Sequence, residues 1–457
     1  MARQLPVLNS IAPSSALRPD GGRNFIVPAD VSGPYARRRY VIFGVLLLVY
    51  VLTPWIQIGG HPAVFLDLEH RAFYLFGQTF NAQDFWLTFF LLSGIGFVLI
   101  VVTALWGRIW CGYACPQTVF LEGVYRRIER LIEGPREQRR KRDQAPLTLS
   151  RSLRKVTKHV VFFLLSFLVA HVFLSYFVSL PKLFTMMHER PREHPEAFAW
   201  AFVMTLIMYG NFAWFREQLC LIICPYGRLQ SVLTDSESLV IGYDVGRGEP
   251  RGKAKDKAAG ACVDCGRCVV VCPTGIDIRQ GLQMECIGCA ACVDACDEVM
   301  TKLQRPKGLI RYDSQSGLAG QATRFWRPRV FIYVAFGLLG LVVATLLART
   351  RTPFEANLLR LSSAPYVLEA EGSLVRNALE LHLINKRGDA AEFQISGVKD
   401  GTLDYVIGIP RITLGSLEER RIPVFVLAPN DRRHRVLRLR VDDGTTPREL
   451  SIPFVAP

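Results

Sequence analysis

No cysteine stands before residue 111 and none after residue 296, so all 12 cysteines crowd into the middle of the chain. A cysteine-free tail excludes the disulfide-stapled design of a small exported domain and leaves the thiols for metal chemistry in a reducing compartment. The sequence also lacks a Gly-x-Gly-x-x-Gly dinucleotide fingerprint, a flavin motif and a Cys-x-x-Cys-His haem attachment site. Any electrons the chain handles therefore come from an external, unidentified donor. The first 36 residues have no short apolar stretch with a small-residue cleavage site, so a removable leader is not expected. Acidic charge is comparatively scarce, with 40 Asp and Glu against 55 Lys and Arg. That excess does not mark a nucleic-acid binder, because the arginines crowd beside apolar runs, as membrane topology demands.

What the chain has in quantity is apolar length. Hydrophobic residues make up 50% of it and mean hydropathy is +0.21, yet 21% of residues are charged, the mixture of a membrane protein with polar domains. Five stretches, 40–59, 85–106, 159–180, 197–215 and 330–348, are long enough to cross a hydrocarbon core of ~30 Å as helices. Arg37, Arg38 and Arg39 precede the first, and "RRIERLIEGPREQRRKRD" (126–143) separates the second from the third, whereas Arg71 is alone in the loop after the first. Arginine-rich loops are retained, so the N-terminus, the 107–158 loop and the 216–328 segment are expected in the cytoplasm. An odd number of spans then exports the tail.

Residues 262–273 read "CVDCGRCVVVCP", and residues 286–296 repeat the cysteine spacing as "CIGCAACVDAC", with Asp297 where proline is expected. This is the run of bacterial two-cluster ferredoxins, in which the fourth cysteine of each run reaches across to the other cluster. One 4Fe-4S cluster is assigned Cys262, Cys265, Cys268 and Cys296, and the other Cys286, Cys289, Cys292 and Cys272. Paired Cys-x-x-Cys units also build structural zinc sites, but zinc needs only four ligands and no two asymmetric runs.

A second repeat lies at the ends of apolar stretches. "WCGYACPQ" (110–117) and "QLCLIICPYG" (218–227) each place two cysteines four apart with proline following: Cys111, Cys115, Pro116 and Cys220, Cys224, Pro225. Residues i and i+4 share a helical face, and proline disfavours continuing that helix. Four thiolates converging at the inner membrane surface would select soft Cu(I); a redox-active dithiol and plain helix packing are the alternatives. His171, read as lying within the third span, is a further candidate metal ligand. His159, Met204, Met208 and the "TMMHERPREH" loop (Met186, Met187, His188, His194) are weaker candidates, read mainly as interface or packing groups.

Five spans, the ferredoxin runs, the two Cys-x-x-x-Cys-Pro motifs and a strand-rich tail together resemble the CcoG family, also called FixG or RdxA, accessory proteins of cbb3-type cytochrome c oxidase. The resemblance covers nearly the whole chain and is most specific at 261–300. It implies a bacterial inner-membrane protein with a cytoplasmic ferredoxin domain and a periplasmic C-terminal domain, reducing Cu(II) to Cu(I) during assembly of the haem–copper centre. Oxidase subunits or copper-delivery proteins are the implied partners, and a homo-oligomer stays open.

The expected domains are a cytoplasmic segment at 1–38, a four-span bundle at 39–247, a two-cluster ferredoxin domain at 248–310, a fifth helix at 328–349 and a β-sandwich at 353–457. The last rests on alternating strands such as "LELHLINK" (379–386) and "RIPVFVLA" (421–428), separated by turn signals. About a hundred residues of short strands point to an immunoglobulin-type sandwich, read as an interaction module. Two other functions compete with copper reduction. One is an electron-transfer subunit drawing on quinol or a soluble reductase; the other is a redox-sensing assembly scaffold.

Overall fold

The structure, a computed structural model, describes residues 25–68, 72–81, 85–146, 148–256, 258–349, 352–361, 365–398, 403–416, 418–431 and 433–457. Five helices among them are long and apolar enough to cross a membrane: Pro34–Trp55, Phe89–Trp106, Leu149–Leu174, Pro195–Phe215 and Pro328–Leu346. At most 22% of any span's apolar window is buried, so side chains such as Leu92, Trp200 and Leu339 face outward, as lipid-facing helices require. The third helix starts at residue 149, well before its apolar run. Thr148 caps it by accepting from the Arg151 amide, and Arg151 and Lys155 of its first turns pair with Asp143.

The described residues fall into two compact units. In the first, the cysteine-rich insert is closed at its base by strands Val240–Tyr243 and Ile310–Asp313, paired antiparallel. Ile241, Tyr243, Ile278, Met300, Leu309 and Ile310 fill its core. Helix Ala291–Lys302 of the insert reaches the start of the first span. There Asp294, itself buried, accepts from the amides of Ala36 at 2.7 Å and Tyr35 at 3.3 Å. Gly33, the residue before that helix, has no side chain to cap it, so the insert supplies the missing acceptor and the negative charge favoured at a helix N-terminus.

Apart from the ends of two spans, the second unit is mostly β. One sheet of its main sandwich orders strands Asp404–Ile407, Glu419–Pro429, Leu374–Asn385 and Phe354–Arg360, with Val367–Glu369 also paired to Leu374–Asn385. The other orders Arg411–Leu414, Ala391–Gly397, Val436–Asp442 and Arg448–Pro453. Every pairing is antiparallel. Alternate residues point inward, so Leu379, Leu381 and Leu383 meet Phe393, Ile395 and Val441 in one dry core. This is an immunoglobulin-like sandwich. The same unit holds a three-stranded meander, Val64–Asp67, Ala72–Leu75 and Gln78–Asn81, in what the sequence presents only as the loop after the first span.

Candidate metal centres

The two ferredoxin runs share one backbone. Asp264 and Gly266 follow Cys262 with φ of 48° and 62°; Gly288 and Ala290 follow Cys286 with φ of 67° and 59°. Left-handed residues at both positions fold the chain round on itself and turn successive amides inward. The Gly288 and Ala291 amides accordingly face the Cys286 and Cys289 sulfurs. Cys268 and Cys292, third in each run, then fall in the first turns of helices Arg267–Val270 and Ala291–Lys302. A left-handed non-glycine residue costs roughly 1–2 kcal/mol, so Asp264 and Ala290 are held there by what surrounds them.

Two cavities open between these segments. Cys262, Cys265, Cys268 and Cys296 line one, walled by Met300, Leu309 and Ile310. Cys272, Cys286, Cys289 and Cys292 line the other, which Cys268 also reaches, walled by Ile241, Ile276, Ile278 and Ile287. The grouping is crossed, each fourth cysteine joining the other run. Among the described residues no three His, Cys, Asp or Glu side chains are arranged to hold a single metal ion. The thiols surround a space instead of meeting at a point, which suits a polynuclear cluster and not tetrahedral zinc. Burial pushes Cys268 up to about 11 against the nearby Arg279, and burial followed by Cys268 and Asp297 pushes Cys296 to about 12. Burial likewise raises Cys286 to about 12 and Cys292 well above the ordinary thiol value. A cage this dry cannot hold four bare thiolates without positive charge at its centre, which iron supplies. The donor set therefore fits a 4Fe-4S cluster in each cavity.

Asp297 also finds its reason. Cys272 ends its run in a loop, where Pro273 is tolerated, but Cys296 lies inside helix Ala291–Lys302, where proline would break the hydrogen-bond ladder. Asp297 instead accepts from the Gly308 amide at 2.9 Å.

The surroundings of the cages differ. At the first, Cys265 is exposed and Arg279 bridges Asp277 and Asp264 nearby. The second is packed against the membrane bundle. Buried Arg39 donates to the Gly112 carbonyl at 3.1 Å. Cys289 and Glu122 lie close enough to interact with its charge. Arg108 donates to the carbonyls of Met284 and, at 2.6 Å, Gly227.

The two Cys-x-x-x-Cys-Pro motifs are structural copies. A left-handed residue precedes each first cysteine by four positions, Gly107 at φ 55° and Arg216 at φ 54°. The amide of each second cysteine bonds five residues back, Cys115 to the Trp110 carbonyl at 2.9 Å and Cys224 to Leu219 at 2.8 Å. Both second cysteines are extended, and each proline begins a new helix, Pro116–Phe120 or Pro225–Leu233. Proline therefore ends one turn and starts the next.

These copies place all four thiols in one electrostatic neighbourhood, although, as elsewhere among the described residues, no three of them are arranged round a single metal ion. Burial first, then Cys115, Cys111 and Cys224, pushes the Cys220 thiol up to about 12. Burial raises Cys111 to about 11 against an opposing hydrogen bond to Gln230 Oε1 at 3.4 Å. Burial also raises Cys115, while the Thr118 and Gln117 amides facing its sulfur oppose the rise. The group abuts the second cage: Cys111 packs on Val271, Ile287, Cys289 and Ala291. A side chain at Gly112 would sit 2.7 Å from the Ile287 carbonyl oxygen, and one at Gly288 3.0 Å from that of Arg108. Motif and cage loop thus touch backbone to backbone, a closeness that only glycine permits.

Behind the thiols lies a buried ionic network that the sequence does not announce. Arg216 forks Glu129 at 2.8 and 3.3 Å, and Arg139 reaches the same carboxylate at 3.1 Å. Burial alone would raise the Glu129 pKa, but Arg216, Arg139 and Lys158 hold it at about 2. Arg126 joins Glu217 at 3.1 Å to the carbonyl of Pro273, beside the cage ligand Cys272. Part of the basic run that reads as a topogenic loop is therefore a structural support. The only hint was the acids spaced among its arginines.

The remaining candidates lie apart from the thiols. His171 occupies the last turn of its helix, not the middle, and its Nδ1 is engaged by the Phe167 carbonyl at 2.8 Å. His159 bonds the Tyr209 hydroxyl at 2.9 Å. Met208 packs on the cluster of Leu121, Tyr125, Phe162 and Phe212. His194 pairs with Glu189, and His188 bonds the Phe184 carbonyl at 2.8 Å.

Comparison with known proteins agrees with this layout. Residues 215–315 match the family model of a 4Fe-4S dicluster domain, and residues 87–135, containing Cys111 and Cys115, match that of a 4Fe-4S binding domain. Residues 344–457 match a family described as the IG-like fold at the C-terminal of FixG. The chain is 36% identical to the nitrogen fixation protein FixG of Rhizobium meliloti (strain 1021), over 90% of its own length and 87% of that protein's. It is 35% identical to protein RdxA of Cereibacter sphaeroides, over 82% of each chain. Against protein RdxB of the same organism the identity is 34%, over 92% of this chain and 93% of the relative.

Proposed function

The chain belongs to the FixG family of membrane iron–sulfur electron-transfer proteins, and from that premise we propose that it reduces Cu(II) to Cu(I) for assembly of a haem–copper oxidase of the cbb3 type. The observation that carries the reading is the convergence of Cys111, Cys115, Cys220 and Cys224 against the loop of Cys289. Thiolates prefer soft Cu(I) over Cu(II), so a copper ion held by them is easier to reduce than one in water. Cys262, Cys265, Cys268 and Cys296 hold one cluster and Cys286, Cys289, Cys292 and Cys272 the other. When bound, these clusters supply single electrons.

Each chain residue then has a task. Gly112 and Gly288 bring the copper thiols and the second cage into backbone contact, shortening the distance an electron crosses. Arg39 places a buried positive charge beside Cys289 and favours the reduced state of that cage. The copper site takes one electron per ion and no atom is transferred. The arginine-rich loops support a bacterial inner-membrane reading with the cages and thiols on the cytoplasmic side and the sandwich on the periplasmic side, where it would serve as a docking module for oxidase or copper-delivery proteins.

The test is the double variant Cys111→Ser with Cys115→Ser, assayed by competition with a coloured Cu(I) chelator. Copper binding and copper reduction are both lost while the iron–sulfur absorption is unchanged. The pair Cys220→Ser with Cys224→Ser gives the same result, because one site is built from both halves. Copper reduction that survives all four serines overturns the reading.

A further inference from the structure

A cavity with about 880 Å³ of empty space, counting its open side, lies where the second span ends. Its inner wall is formed by Cys286 and Tyr312, and Tyr312 is fixed by donating its hydroxyl proton to the Gly288 carbonyl. Its rim carries three large apolar side chains, Trp106, Leu282 and Met284, exposed by 44%, 48% and 57%. Trp106 is the last residue of a span, so the opening sits at the level where hydrocarbon gives way to water. Arg108 crosses the wall and ties the Met284 carbonyl to that of Gly227, which holds the cavity open.

Exposed apolar side chains at a membrane boundary, polar Thr234, Asp235, Ser236 and Gln315 elsewhere in the lining, and a cage cysteine in the wall define what fits. The ligand is a redox-active ring carried on a lipid-soluble tail. A nicotinamide dinucleotide would need a phosphate-cradling glycine loop, and the sequence has none. We propose that this cavity is a quinol-binding site through which electrons enter the protein beside Cys286. The proposal rests on reading Cys286, Cys289, Cys292 and Cys272 as a cluster cage.

The chemistry balances without a further reactant. A quinol loses its two O–H hydrogens as protons to water at the open side and gives up two electrons, becoming the quinone. Two Cu(II) ions take those electrons, one each, and become two Cu(I). A two-electron donor feeding a one-electron acceptor needs somewhere to keep the second electron, and a chain with two cages has that place. Arg39 and Arg108, both beside the second cage, favour its reduced state and so bring it within reach of a quinol.

The experiment uses the full-length, iron-loaded protein in lipid nanodiscs and a short-tailed benzoquinone carrying a photoreactive azide. Labelling is expected on the peptides holding Trp106 and residues 282–286, and excess decyl-benzoquinone suppresses it while flavin mononucleotide does not. Met284→Trp fills the mouth from an exposed position, where folding is not at stake. It should cut labelling and the rate of cluster bleaching by decyl-benzoquinol about tenfold. Bleaching by dithionite stays complete in the same variant. Label spread over the lipid-facing helices, indifferent to competitor and to Met284→Trp, overturns the quinol site. Iron content separates this from the preceding reading. Competed label on protein that holds no iron sinks the cluster assignment and spares the cavity, whereas full iron without competed label does the reverse.

Discussion

The runs starting at Cys262 and Cys286 have the same spacing and the same left-handed residues after their first cysteines, yet they meet opposite surroundings. One exposes Cys265 beside two carboxylates paired with a single arginine. The other buries Cys289 against Arg39, with Arg108 over its loop and the Cys111 motif at its back. Backbone shape follows from what the cysteines must surround, so it repeats. Environment follows from where electrons must go, so it does not. One cage shows a single ligand, Cys265, to solvent, and the other is packed against the membrane bundle.

The largest effect that separates them comes from the thiols. Cys292→Ser should remove about half of the roughly eight irons and also loosen the bundle, seen as a lower melting temperature in detergent. Cys265→Ser, at the exposed corner, should disturb the other cluster and leave the bundle's melting unchanged. Equal melting temperatures for the two variants would break the comparison.

The ionic support behind the buried side comes next. Glu129→Gln leaves Arg216 and Arg139 without their buried partner and should cost about 3 kcal/mol at neutral pH. The sign of its pH dependence follows from a carboxylate held at about 2 instead of its ordinary 4.5. Its contribution is whole above pH 4.5 and disappears as pH falls towards 2. Wild type should lose stability across that window by this term and the variant should not, as melting curves at successive pH values would record.

Arg39→Leu tests charge alone. It should lower the reduction potential of the buried cluster by about 60–120 mV, one to two factors of ten for a one-electron couple, and leave the exposed cluster where it was. Redox titration followed by electron paramagnetic resonance resolves the two. The smallest effect belongs to the open side, where Asp264→Asn removes a half-exposed pair with Arg279 and should change stability by less than about 0.5 kcal/mol.

The repeated spacings made the two ferredoxin runs and the two Cys-x-x-x-Cys-Pro motifs legible in the sequence, because a cysteine run states its own geometry. The apolar runs likewise announced five spans. They misplaced the start of the third, since a helix carrying Arg151, Arg154, Lys155 and Lys158 in its first turns is invisible to hydropathy. They also put His171 mid-span when it closes the helix. Strands Phe354–Arg360 and Asp404–Ile407 and the meander of 64–81 were not read from the sequence, whereas Arg411–Leu414, as short as Asp404–Ile407, was, within "RITLGS" (411–416). Glu129 looked like one acid in a solvated basic loop; its burial depends on Arg216, far along the chain, which no local pattern contains.

The cap that Asp294 places on the first span has a consequence for biogenesis. The amides it satisfies are 258 and 259 residues earlier in the chain. While the ribosome is still making the spans, the leading turn of the first one has no acceptor from the insert, and its entry into the bilayer is left frayed. It is completed only after helix Ala291–Lys302 exists and has seated, and that helix carries two cage cysteines, Cys292 and Cys296. Locking of the first anchor thus waits on folding of the insert, and is expected to coincide with its loading with metal. Limited proteolysis of iron-free protein is the measurement that checks this: early cleavage near residues 25–36 is expected, and an N-terminal edge as resistant as that of the iron-loaded protein would separate the two events.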